Sequence, residues 1–586
     1  MKELFKLILI SALAGMGIMN IAKAQTSGTC GDNLTWQLTG SGNSLTLTIS
    51  GDGEMYDYTI YSGGRPWDSY KSNIKTVIIE NRVTAIGECA FYQCSNLEFV
   101  TIPKSVVKLG YRSFFSCGNL TTITIPDSVT TIESGVFEAC SNLTSINVNA
   151  NNPNYSSDDG VLYNKLQDTL ICCPAGKSET FTIPDFVTMV ADKAFQNCRK
   201  LTSITVPGSV FSIGVNAFAI CTSLTAVNVA ANNMNYSSND GIFYNKLQDT
   251  LICCPSGKTG AVTIPNTVIT IADEAFNFCR DLVSVIIPNS VTTIGKAVFA
   301  HCYGLSSVEI GNSIESIGDF AFWWCSGLTS IIVPNSVTSM GNYIFSDCFN
   351  LKSATIGDSV AEIGESAFSN CNRLSSIIIP NSVSKIGYTA FYECYSLVSV
   401  IIGNSVTEIG DGAFAYCIRL DSITCKAKDP PVIDFYTFYG VPINAQVFVP
   451  CHTLSDYQSS DWGNIFTNFI EECTTSLNED ILNEKITFYP NPVSDIFFVE
   501  CKEFSTIKIH DISGKEVLTQ NANGKTEINI SHLPQGVYNV NVLFGTKIVG
   551  SKKFVKQKKA INQLISFFCF TNFLLPTIIC ETVEGN

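Results

Sequence analysis

The chain has 586 residues, only 15% of them charged, and its formal net charge is −15. A chain of this length is too long to fold around one ordinary hydrophobic core, so several domains or one elongated array are expected. The negative charge argues against a nucleic-acid partner or an anionic membrane surface, because few basic side chains could displace counterions from phosphate. Abundant Ser, Thr, Ile, Val, Asn and Gly are typical of a β-rich extracellular protein.

Residues 1–24 have the pattern of a secretory signal peptide. Two lysines precede the apolar run 7–21, and Ala-Lys-Ala at 22–24 is a small-x-small cleavage site. We expect cleavage between Ala24 and Gln25, so this segment is excluded from fold reasoning. A first transmembrane helix is the alternative, although nothing in the following sequence extends it.

Residues 25–74 are predicted to form an N-terminal β cap. From Ser27 the sequence SGTCGDNLTWQLTGSGNSLTLTISGDGEMYDY alternates apolar and polar residues between glycine-rich turns. A cap is expected because the first coil of a stacked array would otherwise expose an unpaired, aggregation-prone edge.

Residues 75–425 repeat the unit A-F-x-x-C-x-x-L-x-x-I-x-I-P-x-S-V-x-x-I-G. Its cysteine falls at Cys94, Cys117, Cys140, Cys198, Cys221, Cys279, Cys302, Cys325, Cys348, Cys371, Cys394 and Cys417. Nine of the eleven steps between these cysteines are 23 residues long, and the other two are 58. A fixed period of this size indicates a mainly β, leucine-rich-repeat-like solenoid, whose coils bury their apolar faces only against one another.

Each segment of the repeat has a predicted place in the coil. L-x-x-I-x-I is a short strand ended by proline, S-V-x-x-I-G is a second extended segment with a glycine turn, and A-F-x-x-C points inward. Zinc needs about four converging ligands, whereas this spacing lays one thiol per coil along a line. We therefore predict a spine of buried thiols, with sporadic disulfides between stacked neighbours as the alternative.

This unit, seen at 299–318, 345–364 and 368–387, resembles the BspA-like leucine-rich repeats of bacterial surface proteins. The resemblance implies a secreted or surface-exposed interaction protein, in some relatives an adhesin for host matrix proteins or other cells. The expected function is non-enzymatic adhesion or binding of a host or bacterial protein or glycan. A structural surface-layer or spacer protein without a specific ligand is the alternative.

Both 58-residue steps contain nearly the same insertion, at 149–180 and 230–261. In each, an Asp-Gly turn, an apolar strand, the turn N-K-L-Q-D and a second apolar strand predict a β-hairpin within an enlarged coil. A structural role is favoured, and binding by the protruding turns is the alternative. Strand neighbours face opposite sides, so one thiol of Cys172-Cys173 and of Cys253-Cys254 is expected to be buried and the other exposed.

Aromatic residues flank the repeat cysteine in several consecutive coils. They are Phe278, Tyr303, Trp323, Trp324, Phe349, Tyr392, Tyr395 and Tyr416. Stacked coils would place matching positions roughly 5 Å apart, and such an aromatic stripe supplies large contact area with few rotamers to freeze. These eight residues are the ligand-binding candidates; alternatively, the rings merely pack on one another. Adjacent residues can hardly both be buried in so tight a turn, so at least one indole of the tryptophan pair is expected to be exposed.

The sequence lacks the patterns of common catalytic sites. His301, His452, His510 and His532 fall in separate elements, and there is no HExxH, GxSxG, Walker loop or dinucleotide-binding turn. The variable positions of the repeat lie along a line, whereas catalysis needs convergent groups. We predict no enzyme activity, no cofactor and no metal.

The repeat ends in a predicted C-terminal cap at 426–473, in which Cys451 and Cys473 are a candidate disulfide. A polar linker follows at 474–485. Residues 486–556 then contain four blocks of alternating strands with Asn-Pro, Ser-Gly and Gln-Gly turns, which predict a small β-sandwich.

This last domain resembles the type A sorting domain of type IX secretion. The motifs are YPNP at 489–492, SGK at 513–515 and LPQGVY at 533–538. The resemblance implies the type IX secretion machinery as a partner and export across the outer membrane, followed by surface attachment or release. The hydrophobic tail 557–586 departs from that family. An extra buried strand, a membrane anchor and an altered reading frame all remain open, and the last is favoured.

Overall fold

The computed structural model describes residues 26–60, 64–473, 487–489, 495–511, 515–534, 536–544 and 547–556. They belong to two compact units, divided between Cys473 and Thr474. The predicted signal peptide with its cleavage site, the linker 474–485 and the tail 557–586 lie outside the described residues. Within the described part of the chain, no helix has the length and apolar character that crossing a bilayer requires.

The first unit begins with an antiparallel sheet that covers the first coil. Its strands are Ser27–Gly31, Leu34–Thr39 and Leu45–Gly51. The short strand Gly53–Glu54 follows and pairs in parallel with Val83–Ile86 of the back row. The third strand pairs in parallel with Ile74–Ile79, where the solenoid starts. A short 3-10 helix, Asp68–Tyr70, precedes that strand.

Each coil contributes one strand to a front row and one to a back row. The front strands, from L-x-x-I-x-I, are Phe99–Thr101, Thr122–Ile125, Ser145–Val148, Glu179–Thr182, Leu201–Val206, Ala226–Val229, Gly260–Thr263, Leu282–Ile286, Ser307–Glu309, Ser330–Ile332, Ser353–Thr355, Ser376–Ile378, Ser399–Ile402 and Ser422–Cys425. The back strands, from S-V-x-x-I-G, are Val83–Ile86, Lys108–Leu109, Thr131–Ile132, Met189–Val190, Ser212–Ile213, Thr270–Ile271, Thr293–Ile294, Ser316–Ile317, Ser339–Met340, Glu362–Ile363, Lys385–Ile386, Glu408–Ile409 and Val432–Ile433.

Hydrogen-bonded neighbours in each row are parallel and in the register of the sequence repeat. Ser376 pairs with Ser399, which pairs with Ser422, so each position stacks on its equivalent in the next coil. The predicted solenoid is therefore confirmed. The repeat leucines and phenylalanines are buried, and successive phenylalanine rings stack, as Phe391 does on Phe414 with centroids 5.1 Å apart.

The predicted spine of buried thiols is also confirmed. All twelve repeat cysteines are at most 1% exposed, and none of them forms a disulfide. A fully buried thiol fills the small space beside the phenylalanine stack without demanding strong hydrogen bonds, as expected of a small hydrophobe.

Each of the two insertions consists of three β-strands and lies between two segments of the hydrophobic core. The first contains Tyr155–Asp158, Val161–Asn164 and Thr169–Cys172, and the second contains Tyr236–Asn239, Ile242–Asn245 and Thr250–Cys253. In each, the strands are antiparallel, and the third then joins the back row in parallel. Val161 and Leu162 are adjacent yet belong to different buried clusters, because strand neighbours face opposite sides. The middle strand of each hairpin thus separates one core segment from the next.

The cysteine pairs have a structural place in these insertions. The amide of Cys173 donates to the carbonyl of Ala194, as the amide of Phe91 donates to Ser113 in an ordinary coil. Cys173 therefore occupies the position of the repeat phenylalanine. Cys173 and Cys254 are buried as predicted for one member of each pair, whereas Cys172 and Cys253 are half-buried rather than open.

The C-terminal cap closes the last coil with two short helices, Leu454–Ser459 and Asp461–Ile465, and two front-row strands, Gln446–Pro450 and Asn468–Glu472. The helices bury Tyr457 and Trp462. The hydroxyl of Tyr457 donates to the carbonyl of Ala427 over 2.7 Å, which anchors the helices to the preceding coil.

The second unit is antiparallel. Its strands are Thr487–Tyr489, Ile496–Asp511, Glu516–Asn529, Gly536–Phe544 and Lys547–Lys556. Ile496–Asp511 pairs with Thr487–Tyr489 along its first half and with Gly536–Phe544 along its second. Phe497, in the first half, packs against Phe554 with ring centroids 4.8 Å apart although their strands do not pair, and both belong to one buried cluster. This packing of two strand layers agrees with the predicted β-sandwich.

Candidate ligand-binding surface

The A-F-x-x-C segments of successive coils form one side of the solenoid, here called the turn face. The residue before each spine cysteine has a left-handed backbone with φ between 57° and 64°, although none of the twelve is glycine. From Phe278 to Tyr416, its amide donates to a carbonyl of the next coil, as Trp324 does to Ser346 over 3.0 Å. This conformation is uncommon for non-glycine residues. Here the hydrogen bond between coils holds it in place.

Five of the eight candidate residues come together in a first aromatic cluster around His301. The cluster consists of Phe278, His301, Tyr303, Trp323, Trp324 and Phe349. The His301 ring lies 4.4 Å from Phe278 and 4.8 Å from Trp323, measured between ring centroids. Trp324 lies 5.4 Å from Phe349. His301, which the sequence offered only as a variable repeat position, is the hub of these contacts.

The two tryptophans are perpendicular, with centroids 6.4 Å apart, and both are half-buried. The expectation that one indole is exposed is therefore met only in part, because rings of the neighbouring coils cover a portion of each. The indole nitrogen of Trp323 donates to Asp347 over 3.0 Å. The other oxygen of that carboxylate accepts from the side-chain amide of Asn370 over 2.9 Å.

A cation lies at the edge of the first cluster opposite the carboxylate of Asp347 in sequence order. The Arg280 guanidinium lies 5.4 Å from the ring centroids of both Phe278 and Tyr303, which is cation–π geometry. Burial, together with the nearby Arg280 charge, lowers the pKa of His301. His301 is consequently neutral at pH 7, and its Nδ1 shares a hydrogen bond with the Tyr303 hydroxyl at 3.1 Å.

A second aromatic cluster lies on the last coils and consists of Tyr392, Tyr416, Phe435, Tyr436 and Tyr439. Tyr416 is 5.5 Å from Tyr392 and 5.4 Å from Tyr439, in both cases edge to face. This cluster is the more open of the two. Phe435 is 78% exposed, Tyr436 54% and Tyr439 48%.

Three members of the second cluster were missed from sequence because the coil that carries them has no repeat cysteine. The frame A-F-x-x-C persists there as T-F-Y-G-V at 437–441, directly after Tyr436. Threonine replaces the alanine, and valine replaces the cysteine. Gly440 stands where other coils have a side chain. A Cβ atom added to it would lie 3.4 Å from the Tyr416 ring, and its φ is 81°.

Tyr395 is exposed and makes no ring contact with the second cluster among the described residues. A hydrogen bond to the carboxylate of Glu393 raises the pKa of Tyr395 to about 12. Seven of the eight candidates thus form two clusters and not one stripe, and Tyr395 lies outside both. Between the clusters, Asp347, Asn370 and Glu393 occupy the position before the cysteine and make a polar stretch.

Two cavities, of about 330 and 310 Å³, lie at matching places beside the two insertions. Cys253 lines the first and Cys172 the second. The aspartates on their walls already accept hydrogen bonds from the backbone. Asp192 accepts from the amide of Val215, and Asp273 accepts from the amide of Lys296. The aspartates by themselves therefore mark no binding site in these gaps between coils.

Cys451 and Cys473 are joined by a disulfide that ties the C-terminal cap together. With Glu471 they also form the one group of metal-ligating side chains found close together in the described part of the chain. Sulfur atoms that are bonded to each other cannot act as thiolate ligands, so this group does not favour a metal site.

Known families match most of the chain. The BspA type leucine rich repeat region matches residues 69–170, 175–259, 253–375 and 341–455. The secretion system C-terminal sorting domain matches residues 487–557. A search among curated proteins finds no match.

Several similar solved structures are bacterial repeat proteins. A leucine-rich repeat protein from Eubacterium ventriosum is 24% identical, with 62% of this chain and 94% of that chain covered and a TM-score of 0.39. The pneumococcal vaccine antigen PcpA is 18% identical, with 76% and 98% covered and a TM-score of 0.38. A leucine-rich repeat protein from Bacteroides ovatus is 23% identical, with 75% and 98% covered and a TM-score of 0.35. The chain belongs to the BspA type leucine-rich repeat family, and its C-terminal sorting domain marks it for type IX export to the cell surface or the extracellular space.

Proposed function

We propose that this exported repeat protein is an adhesion or ligand-binding module whose turn face binds a host or bacterial protein or glycan. Leucine-rich repeat proteins are generally non-enzymatic binding scaffolds, and we propose the same for this chain. The sorting domain engages the type IX secretion machinery during export and has no part in binding.

The observation that carries the proposal is the exposure of the second cluster. Phe435, Tyr436 and Tyr439 are neighbouring aromatic side chains that are each about half exposed or more. Contiguous exposed apolar surface on a soluble protein commonly marks an interaction site. Tyrosine suits that role because it offers a large amphipathic contact area with only two side-chain torsions to immobilise.

A structural surface-layer or spacer protein is the second candidate. The regular stack with a cap at each end supports it, since such a rod can separate two attachments without binding a ligand. It predicts no saturable ligand binding. In that case, the aromatic clusters would serve only to pack neighbouring coils together.

A matched pair of variants distinguishes the two. Trp323→Ser with Trp324→Asn converts A-F-W-W-C into A-F-S-N-C. This is the sequence at 367–371, in a coil whose two positions before the cysteine are not aromatic. The change therefore uses residues that this turn already accommodates. Phe211→Ser is the control, because Phe211 is 53% exposed beside the back row, outside the turn face.

The full-length protein and both variants are applied to immobilised host matrix proteins and bacterial polysaccharides. The proposal expects saturable binding by the wild type and the control and at least tenfold weaker binding by the double variant. Equal binding by all three would assign the first cluster to packing and confine the proposed binding to the second cluster, whose exposed rings carry the proposal. Absence of saturable binding by the wild type would favour the spacer.

A further inference from the structure

We propose that the cavity beside the second insertion, here called the Cys253 cavity, binds an alkylammonium group. This group is supplied either by a free primary amine or by a lysine side chain of another protein, since a lysine ends in the same ammonium on a four-carbon stem. None of the described lining residues belongs to either aromatic cluster. The proposal therefore concerns a separate site and does not depend on the proposed function.

The Cys253 cavity exists because a small side chain stands at a phenylalanine position of the repeat. The amide of Cys254 donates to the carbonyl of Ala275 over 2.6 Å, as the amide of a repeat phenylalanine does in an ordinary coil. Cys254 therefore takes the place of a ring, and its thiol leaves part of that space unfilled. The cavity has a volume of about 330 Å³, which is within the range of small-molecule sites.

The cavity beside the first insertion provides an internal comparison. Each cavity is lined by sixteen residues, and every lining residue of the first lies 81 positions before its counterpart in the second. Cys172 thus corresponds to Cys253. At one position the charge is reversed, because Lys193 of the first cavity corresponds to Glu274 of the second. Both residues have a left-handed backbone, with φ of 58° and 57°, so this position accommodates either side chain.

The Cys253 cavity contains carboxylates without a cation. Asp273 and Glu274 line it, and no lysine, arginine or histidine is among its described lining residues. The Glu274 carboxylate accepts from the side-chain amide of Asn277 over 3.1 Å and forms no ion pair within the described part of the chain. A cationic ligand would meet opposite charge here, whereas an anion would meet like charge.

The first cavity, in contrast, already contains cations. Glu133 pairs with Lys108 over 2.9 Å, and the Glu138 carboxylate lies 3.7 Å from the Arg112 guanidinium. Lys193 lines this cavity and brings an alkylammonium group of its own. The chain thus supplies to the first cavity the chemical group that the second lacks. We therefore expect an alkylammonium ligand in the Cys253 cavity only.

The other groups of the Cys253 cavity suit such a ligand. The Oδ1 atom of Asn277 is buried and has no hydrogen-bond partner among the described residues. The amide nitrogen is engaged by Glu274, so a donor is missing at this oxygen, and an ammonium group beside Glu274 would supply it. Phe218, Phe243 and Ile252 form apolar walls for the carbon chain. Water alone would leave the carboxylate charge without a partner.

The first test is calorimetric titration of the full-length protein at pH 8 with n-butylamine, which is protonated at this pH. The comparators are 1-butanol, a neutral molecule of the same size, butyrate, an anion, and ammonium chloride, a cation without a carbon chain. We expect one butylammonium per chain, bound at least tenfold more tightly than any comparator. A comparator that binds as tightly as butylammonium would refute the proposal.

One further probe separates the two sources of the ligand. Nα-acetyl-lysine N-methylamide presents the same ammonium on a peptide backbone. Binding of this compound as tight as that of butylammonium would identify a lysine side chain of another protein as the ligand. Binding of butylammonium alone would identify a free amine. Absence of binding by both would overturn the proposal.

The thiols locate the ligand, because Cys253 lines the proposed site and Cys172 lines the cavity that already contains a lysine. Both thiols are half-buried. Saturating butylammonium should slow alkylation of Cys253 by iodoacetamide at least threefold and leave the rate for Cys172 unchanged, as measured by peptide mapping. Equal slowing at both thiols, or none at Cys253, would contradict the assignment.

Two variants test the role of Glu274. Glu274→Lys gives the Cys253 cavity the residue of the first cavity, and Glu274→Gln removes the charge with little change in shape. Each should weaken butylammonium binding at least tenfold and abolish the protection of Cys253. The control is Glu309→Gln, because Glu309 is an exposed carboxylate on a front strand, and it should bind as the wild type does.

Melting temperatures are measured for all variants, and Glu274→Gln alone decides the test if Glu274→Lys is unstable. Wild-type affinity in a folded Glu274→Gln variant would overturn the proposal.

Discussion

The thiol of Cys348 donates a hydrogen bond to the backbone carbonyl oxygen of Phe322, in the preceding coil, over 3.3 Å. The same carbonyl accepts from the amide of Cys325 in its own coil over 3.1 Å. Equivalent thiol bonds to the preceding phenylalanine are made by Cys117, Cys140, Cys221, Cys302, Cys325, Cys371, Cys394 and Cys417. The spine thus links coils by hydrogen bonds as well as by packing, which explains why the repeat has cysteine where alanine would fit.

Cys348→Ala should lower the free energy of unfolding by about 1–2 kcal/mol, because it removes buried surface and one hydrogen bond. Cys348→Ser should cost at least as much, since the shorter hydroxyl withdraws from the carbonyl and is left imperfectly bonded in a dry site. Denaturant unfolding followed by circular dichroism measures both.

Cys94→Ala is the matched control for this prediction. Cys94 is equally buried but makes no thiol bond to a preceding coil within the described residues, because the cap precedes it. Its replacement should cost less than that of Cys348. Equal losses at the two positions would mean that the thiol bond contributes nothing measurable.

The protein should lose stability at alkaline pH. Burial raises the pKa of Cys94 and of Cys221 to about 12, against about 8.5 for an unfolded thiol. A group with a raised folded pKa stabilises fully below its unfolded pKa, and this contribution is lost as the pH rises towards the folded value. The denaturant concentration at the unfolding midpoint should therefore decrease as the pH is raised from 8.5 to 12.

Tyrosine ionisation acts in the same direction, so a cysteine variant is needed to isolate the effect of the thiols. The midpoint of Cys221→Ala should fall less than that of the wild type between pH 7 and pH 10.5. A wild-type midpoint that is the same at both pH values would contradict the prediction.

The spine thiols should be inert in the folded protein. Alkylation with iodoacetamide at pH 8, followed by peptide mapping, should leave all twelve unlabelled while the half-buried Cys172 and Cys253 react slowly. The same reaction in guanidinium chloride should label all of them. Rapid labelling of the spine in native buffer would be incompatible with its burial.

Among single replacements in the two insertions, those of Asn152 and Asn233 should lower the free energy of unfolding the most. Both are fully buried. The Asn152 amide donates to the carbonyls of Pro126 and Val129, and its oxygen accepts from two backbone amides of the hairpin. Replacement by leucine leaves these groups unsatisfied and should cost at least about 2 kcal/mol.

Asn233→Leu should behave in the same way, since its amide meets the carbonyls of Pro207 and Val210. The control is Asn154→Leu, because Asn154 is exposed and lies at the start of the first insertion, two residues after Asn152. Thermal unfolding measures all three. A loss for Asn154→Leu as large as that for Asn152→Leu would disprove the assignment.

The mature protein should lack residues 1–24 and, after export, the sorting domain at 486–556. The product would extend from Gln25 to near residue 480. Mass spectrometry of protein washed from the cell surface gives both ends. Peptides from 486–556 in the mature species would contradict the cleavage while leaving export itself unaffected.

Sequence reasoning worked well where the signal repeats. The 23-residue period specifies parallel stacking in register, because each coil can bury its leucine, phenylalanine and cysteine only against the same residues of its neighbours. The hairpins were predictable for a similar reason, since their Asp-Gly turns recur. The partition role of Val161 and Leu162 was not, because it depends on which core segment each side of the strand meets.

By itself, the sequence determined the solenoid, its caps, the buried thiols and the export domain, since all of these follow from local pattern and periodicity. Only the tertiary structure decided which aromatic rings touch. His301 became a hub and the Trp323–Trp324 pair became half-buried because contacts between coils depend on side-chain torsions and on the size of the neighbours. The polar coil at Asn370 divided the stripe into two clusters, and the open rings near Tyr436 emerged in a coil whose cysteine is missing.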